Sequence, residues 1–257
     1  MGCIPSKDSN QIISENQSSE AKGKESYSGN KRPVSKSETQ QSNLLHTEHS
    51  HVSVTYQILP PGAQSHRVRN VYDGDTLTLK NGDRVRFIGV DCPELKEKHP
   101  LAVEAKKYTK DLCHDKEIWI SFPSNVKQKD NYGRLLALVF ASMGKDGYIC
   151  VNEGLIYNGY ASVYSVEKIK DSDGYFQKLL TLQRKARGNG LGIWSGFKNY
   201  HVWVTKAGTA YHIYNKDEKR KCEHLRKSKA LIKTTALEAM DEGYHPCRSC
   251  IEGLVPQ

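Results

Sequence analysis

The 257-residue chain contains no run approaching the roughly 18 consecutive apolar residues that a membrane-spanning helix needs, which argues against an integral membrane protein. Met1 to Glu20 lacks the apolar core of a cleavable secretory signal, so no such leader is expected. There is no internal repeat. The seven cysteines form an odd count without a compact spacing framework, which argues against a secreted disulfide scaffold and for a reducing compartment. Acidic residues are the scarcer sign, 29 Asp plus Glu against 38 Lys plus Arg. The resulting formal charge of +9 favours a polyanionic partner.

Met1 to Gln57 is rich in Ser, Gln and Asn and carries six basic and six acidic side chains, leaving 32 basic against 23 acidic residues downstream. A segment so poor in apolar side chains buries too little surface to offset its ordering entropy and reads as a disordered tail. From about Val52 the pattern becomes strand-like. Thr76 to Lys80 alternates, Asn81-Gly82 supplies a hairpin turn, and Arg84 to Ile88 returns. Glu117 to Phe122 and Arg134 to Phe140 read as further strands. Leu101, Ala105, Tyr108 and Leu112 share one face of a helix, as do Tyr175, Leu179, Leu182 and Ala186, with a short helix between them near Val151 to Asn158. A smaller unit from about Tyr200 to Leu254 holds a hairpin-like start, a Lys/Arg-rich stretch and a closing Cys-x-x-Cys.

Three stretches carry chemistry: Asp73-Gly74-Asp75-Thr76, Arg86 to Glu94, and Asp130-Asn131-Tyr132-Gly133-Arg134. Asp75, Asp91 and Glu94 are hard oxygen donors. Brought together they would repel one another unless a cation sat between them, and Ca²⁺ prefers such ligands. Arg86 and Arg134 offer planar forks that match phosphate oxygens. Carboxylates beside two arginines are what phosphodiester hydrolysis asks for, with a cation and guanidinium groups stabilising charge on the phosphoryl oxygens and one carboxylate activating water. Taken singly, each stretch is more simply read as a turn, a loop or a solvated surface.

In their order, and with Val151-Asn152-Glu153, Gly159 and Leu191-Gly192-Ile193-Trp194 following, these motifs resemble the staphylococcal nuclease (thermonuclease) family over about residues 66–194. The resemblance implies a β-rich α+β fold, a five-stranded OB-fold barrel with about three helices, and Ca²⁺-dependent cleavage of DNA and RNA to 3′-phosphate products. It assigns calcium to Asp75, Asp91 and the backbone carbonyl of Cys92. Glu94 becomes the general base, and Arg86 and Arg134 hold the scissile phosphate. Tyr132 is placed beside the nucleotide, and Tyr164 stands in for a nucleotide-contacting tyrosine where the secreted bacterial enzyme differs at Ser165 and Glu167. Cys92 replaces a frequent Thr and Asn131 a lysine, departures that bear on the pocket's affinity rather than on the catalytic set. The competing reading is a catalytically weak nucleic-acid-binding module, as in the nuclease-like repeats of Tudor-containing coactivators. Retention of Asp75, Arg86, Asp91, Glu94 and Arg134 together speaks against it.

Cys247-Arg248-Ser249-Cys250 would fill half a zinc tetrahedron. The layout from Tyr211 to Cys250 resembles the metal-binding domain of the Ada DNA-repair protein. That resemblance implies His212, Cys222, Cys247 and Cys250 as ligands of a structural Zn²⁺, with His224 a rival because nine residues separate His212 from Cys222. The alternative is a redox-active dithiol, whose expected βαβ context is absent.

At the start, Met1-Gly2-Cys3-Ile4-Pro5-Ser6 fits N-myristoylation of Gly2 with palmitoylation of Cys3. One myristoyl chain binds membrane with only about 10⁴ M⁻¹, so a second signal is needed, and the charge-balanced tail supplies no polybasic patch. The pattern resembles that of dual-acylated plant calcium-dependent nucleases. The expectation is thus an acylated disordered tail (1–51), a nuclease-like barrel (52–197) and a zinc-binding unit (198–257). The partners expected are DNA and RNA substrates and a membrane surface. The location expected is the cytoplasmic face of the plasma membrane if acylated, and otherwise the cytoplasm.

Overall fold

The computed structural model describes residues 54–95, 99–124, 127–170, 172–216, 222–228 and 230–251. The expected acylation sites Gly2 and Cys3 lie outside these residues. So does the tail, together with part of the Lys/Arg-rich stretch.

The elements run β1 (Thr55–Tyr56), β2 (Gln64–Val71), β3 (Thr76–Leu79), β4 (Arg84–Phe87), β5 (Val90–Asp91), α1 (Pro100–Cys113), β6 (Glu117–Ser121), β7 (Leu135–Ser142), β8 (Tyr148–Cys150), α2 (Val151–Tyr157), β9 (Ser162–Val163) and α3 (Gly174–Gly188). After a 3₁₀ turn at Gly192–Trp194 come β10 (His201–Val204), β11 (Ala210–Ile213), β12 (Ile232–Thr235), α4 (Ala236–Asp241) and β13 (His245–Pro246).

Strands β2, β3, β4, β7 and β6 hydrogen-bond in that order, and β6 returns to β2, so five strands close into a barrel. Closure needs strands that serve two neighbours. β2 pairs with β6 through Gln64 to Arg67 and, past an irregularity between Val68 and Asn70, with β3 through Val68 to Val71. Such a break in register bends the strand round a barrel corner. The β3–β4 hairpin turns at Asn81-Gly82, where Gly82 takes φ 95°, a backbone region open to glycine at little cost. β4 then runs parallel to β7, with Arg86 opposite Leu136.

Alternation along the strands fills the barrel with Val68, Leu77, Leu79, Val85, Phe87, Ile118, Ile120 and Val139, all buried. Helix α2 closes this core, with Val151 through Ile156 buried. Asn152 stitches the helix to the strands: its amide accepts from the Val139 N–H (2.9 Å) and donates to the carbonyls of Ile88 (2.9 Å) and Ala137 (3.2 Å).

α1 starts at Pro100, the helical position that has no intrahelical use for an N–H, with the His99 ring accepting from the Leu101 N–H. Its buried residues are Ala102, Ala105, Thr109 and Cys113. Of the face expected from the sequence, Ala105 is buried, Tyr108 and Leu112 pack partly buried on the barrel core, and Leu101 packs on the C-terminal core. Small side chains point inward because the helix lies directly on the Asp73-Gly74-Asp75 turn. Thr109 Oγ1 donates to the Gly74 carbonyl (2.5 Å), and a Cβ on Gly74 would stand 2.7 Å from that of Ala105.

The C-terminal residues form a four-stranded sheet in the order β12-β10-β11-β13, with α4 begun by a capping box of Thr235 and Glu238. Their core is shared with the end of α3 and the 3₁₀ turn: Ala186, Ile193 and Trp194 pack with Val202, Val204, Tyr211, Met240 and Tyr244. Arg187 grips Asp241 with both guanidinium nitrogens (3.0 and 2.8 Å). No helix of the described residues is long and apolar enough to cross a membrane.

Candidate active site

Two adjoining turns build the site. Between β2 and β3, Asp73 Oδ1 accepts from the Asp75 N–H (3.1 Å), an Asx turn that the sequence Asp-Gly-Asp favours. Gly74 is required by close approach, since a Cβ there would lie 2.6 Å from Cys92 Sγ. Asp75 is buried. Its Oδ2 accepts from the Cys92 N–H (2.9 Å) and its Oδ1 from Thr76 Oγ1 (3.0 Å). Because Thr76 and Arg86 are register partners across the β3–β4 hairpin, Asp75 meets the Arg86 fork, with Oδ2 3.2 Å from Nη1. Arg86 Nη2 reaches Asp91 Oδ1 at 2.9 Å. Its Nη1 also donates to the carbonyls of Phe87 (2.9 Å) and Val90 (2.6 Å), locking the guanidinium between the two aspartates.

Burial raises the Asp73 carboxyl to about 7, with the neighbouring Asp75 charge adding to the rise. The Asp91 carboxyl is also raised, to about 6, by burial and by Asp75 against the pull of Arg86. Burial works against the Arg86 charge, but Asp75 and Asp91 outweigh it and hold the guanidinium above its ordinary value. Three carboxyls thus converge on one guanidinium. This surplus of acidic oxygens is what a divalent cation would relieve, so the residues fit Ca²⁺ at Asp75 and Asp91. The Cys92 thiol is buried, and burial keeps it protonated, which leaves its backbone carbonyl as the group that could serve a hard cation.

Glu94 is half-buried and lines a cleft of about 280 Å³ with Asn70, Tyr72, Asp73, Leu95 and Lys106. A water in this cleft would be flanked by Glu94 and Asp73. Arg134 stands two residues before Leu136, the partner of Arg86, so β7 brings it to the same end of the barrel. Its Nε is held by Asp130 Oδ2 at 2.7 Å, and its guanidinium lies 5.5 Å from the Tyr132 ring centroid. Tyr132 itself is 86% exposed. Arg134 and Tyr132 therefore form a pair outside the aspartates' hydrogen-bonded network, with the Tyr132 ring facing solvent. Tyr164 is anchored by its N–H to the Gly89 carbonyl (3.1 Å).

Two participants were not singled out from the sequence. Asp73 was present in the Asp-Gly-Asp motif, where its neighbour drew the assignment. Arg248 had no such signal. Its Nη2 lies 2.7 Å from Asp91 Oδ1 across 157 residues of chain, a contact created wholly by docking of the C-terminal sheet.

In that sheet, one ligand atom from each of His212, Cys222, Cys247 and Cys250 lies within 4.8 Å of all the others. Cys222 Sγ and Cys247 Sγ are 3.9 Å apart, too far for a disulfide. Cys250 Sγ and His212 Nδ1 are 3.7 Å apart. A tetrahedron with Zn–S bonds near 2.3 Å has edges of about 3.8 Å, so the donor set fits Zn²⁺. Burial, with His224 and His245 nearby, lowers the His212 imidazole to about 4 and keeps it neutral, as a ligand must be. Burial raises the Cys250 thiol to about 12, so metal binding there must displace its proton. His224 turns to Ser249, with Nε2 2.8 Å from Oγ, and lies outside the group of four.

Comparison with known proteins finds that residues 84–196 match the family described as staphylococcal nuclease homologue. The match takes in Arg86, Asp91, Glu94 and Arg134 and ends before the C-terminal sheet. A thermonuclease of Staphylococcus intermedius is 30% identical over 138 residues, covering 51% of this chain and 76% of that protein. The SPbeta prophage-derived endonuclease YokF of Bacillus subtilis is 32% identical over 137 residues, covering 51% of this chain and 43% of YokF. Endonuclease YncB of the same organism is 33% identical over 130 residues, covering 48% and 58%. The chain therefore spans about half the length of these two Bacillus proteins.

Proposed function

Since this chain belongs to the staphylococcal nuclease homologue family, we propose that it is a calcium-dependent nuclease hydrolysing phosphodiester bonds of DNA and RNA to 3′-phosphate products. The observation that carries the reading is the Asp75–Arg86–Asp91 bridge with Glu94 in the adjoining cleft. That four-residue set is hard to explain as a stability device, because burying charges costs more than it returns unless a function retains them.

In this reading Asp75, Asp91 and the Cys92 carbonyl hold Ca²⁺, which supplies charge stabilisation for the pentavalent phosphoryl group. Arg86 pairs with a non-bridging phosphoryl oxygen through the nitrogens that now face the aspartates. Arg134 exchanges Asp130 for the substrate's phosphate. Glu94 takes a proton from the attacking water as the water's oxygen bonds to phosphorus, and the bond to the 5′ oxygen breaks on the opposite side, that oxygen keeping the electron pair and taking a proton from solvent to leave as the 5′ hydroxyl. Tyr132 offers an exposed ring for a base to stack on. His212, Cys222, Cys247 and Cys250 hold a structural Zn²⁺ that fixes the C-terminal sheet. Acylation at Gly2 and Cys3 would add a membrane-face location. A Gly2→Ala chain that fractionates as wild type does would contradict that part.

The test is hydrolysis of single-stranded DNA and of RNA by the whole chain, with calcium and with a chelator, against Glu94→Gln. Loss of a positioned base costs about 10² to 10⁴ in rate. Full activity in Glu94→Gln would remove it as the base. Absence of cleavage by folded wild type would favour a nucleic-acid-binding module.

A further inference from the structure

We propose that Arg248, delivered by the C-terminal sheet, is a third phosphate-binding guanidinium of the nuclease site, the inference resting on the nuclease reading above. Arg248 and Arg86 both donate to the same oxygen, Asp91 Oδ1, at 2.7 and 2.9 Å. Among the described residues, Arg248 is thus the one guanidinium besides Arg86 paired with the site's aspartates. Arg134, by contrast, is paired with Asp130.

Its placement is built rather than incidental. Arg248 lies between Cys247 and Cys250, two of the four cluster residues. The backbone there is tied down, with the Cys247 N–H on the Tyr211 carbonyl (2.9 Å) and the Cys250 N–H on the Cys247 carbonyl (3.2 Å). The guanidinium sits 5.4 Å from the Tyr164 ring centroid. Tyr164 is itself wedged against the His245 ring at 4.5 Å and bonded to Gly89. The sheet that carries it is clamped to α3 by the Arg187–Asp241 pair and to the loop before α3 by Lys168, which donates to the Lys206 carbonyl (3.0 Å) and Tyr244 Oη (3.2 Å). A guanidinium held this way has already given up most of the freedom that phosphate binding would cost it.

The Arg248 side chain remains 62% exposed, whereas that of Arg86 is 10% exposed. Arg86 faces the protein, and Arg248 presents its outer edge to whatever enters from solvent. A phosphodiester arriving at Asp91 would find Arg248 within a guanidinium's width. Moving the Arg248 N–H to a phosphate oxygen, together with the Arg86 N–H that shares Asp91 Oδ1, would free that oxygen for the cation, so substrate and calcium would assist one another.

The experiment uses the whole zinc-loaded chain. Binding of a fluorescent single-stranded deoxyoligonucleotide is measured in a Glu94→Gln background with calcium, with and without Arg248→Ala and Arg248→Lys. Arg248→Ala should weaken binding about tenfold, and the slope of log affinity against log salt should shrink by about 0.7, the value for one phosphate contact on a single strand. Arg248→Lys should recover part of the affinity. In the cleaving background, KM should rise more than kcat falls. Unchanged affinity and salt slope in Arg248→Ala would overturn the proposal, as would faster cleavage at limiting calcium, which would make the side chain a plug on Asp91. Failure of wild type to cleave would count against the nuclease reading, while the binding series would still decide the role of Arg248.

Discussion

Replacing Arg86 by Met removes the one cation that Asp75 and Asp91 share while keeping most of the side chain's length. Four hydrogen bonds or ion pairs go with it: Asp75 (3.2 Å), Asp91 (2.9 Å) and the carbonyls of Phe87 and Val90. Breaking a buried pair by removing one partner costs about 3–5 kcal/mol, because Asp75 is left with no cation, while Asp91 keeps Arg248 at 2.7 Å. For a domain of this size each kcal/mol moves Tm by about 2–4 °C, so calcium-free Arg86→Met should melt about 6–20 °C below wild type near pH 8.

The deficit should depend on pH. The Asp91 and Asp73 carboxyls already sit near 6 and 7. At pH 5.5 both are largely protonated, the site holds less negative charge, and the loss of Arg86 should cost noticeably less. Calcium should narrow the gap further, since bound ligand stabilises by about 2.7 kcal/mol at a hundred times its Kd. The measurement is thermal or urea unfolding of both proteins at pH 5.5 and 8, with and without calcium. A deficit below about 1 kcal/mol, or one identical at the two pH values, would refute the picture of a charged site awaiting a cation. Should Arg86→Met fail to fold, Arg86→Lys serves, with a smaller deficit of the same pH dependence.

The same carboxyls give wild type a testable signature. Their folded-state values lie above the ordinary 3.8, so the native state binds more protons between about pH 4 and 7, and their contribution to stability is full at low pH and lost as pH rises through 6 to 7. Calcium-free protein should lose that contribution on going from pH 5 to 7.5, and half-saturating calcium should rise about tenfold per pH unit below 6 for one displaced proton; a flat calcium affinity across this range would contradict it. Elemental analysis should find one zinc per chain and none in Cys250→Ser, and a folded wild-type chain purified without any zinc would exclude the structural role. Asn152→Ala takes the acceptor from the buried Val139 N–H, while the Ala137 and Ile88 carbonyls keep the Ile88 N–H (3.1 Å) and Tyr175 Oη (3.4 Å) as partners. At about 1–3 kcal/mol for one buried unsatisfied group it should cost about 1–3 kcal/mol in urea unfolding, and a cost under about 0.5 kcal/mol would show that water or backbone shifts replace the amide.

Local chemistry was legible in the sequence wherever a motif sits on neighbouring strands. Asn81-Gly82 dictates a hairpin, the hairpin makes Thr76 and Arg86 partners, and Asp75 therefore meets Arg86. The three helices packed on the barrel followed from periodicity, and α1, α2 and α3 lie within a residue or two of the expected spans. Periodicity also gave the inward face of α1, where Ala105 is buried and Leu101, Tyr108 and Leu112 pack on the cores; that the deepest positions carry small side chains reflects the close approach of the Gly74 turn, which no local pattern shows. The Cys-x-x-Cys motif pointed to metal binding and the resemblance named His212 and Cys222 beside it; that these four converge while His224 turns to Ser249 depends on how β11 and β13 pair. Arg248 lay beyond any local pattern. Whether a charged side chain between two cysteines points to water or to Asp91 is decided by the packing of one sheet against α3. That packing rests on apolar burial and a few ion pairs spread over more than fifty residues, an interaction with no short-range signature in the chain.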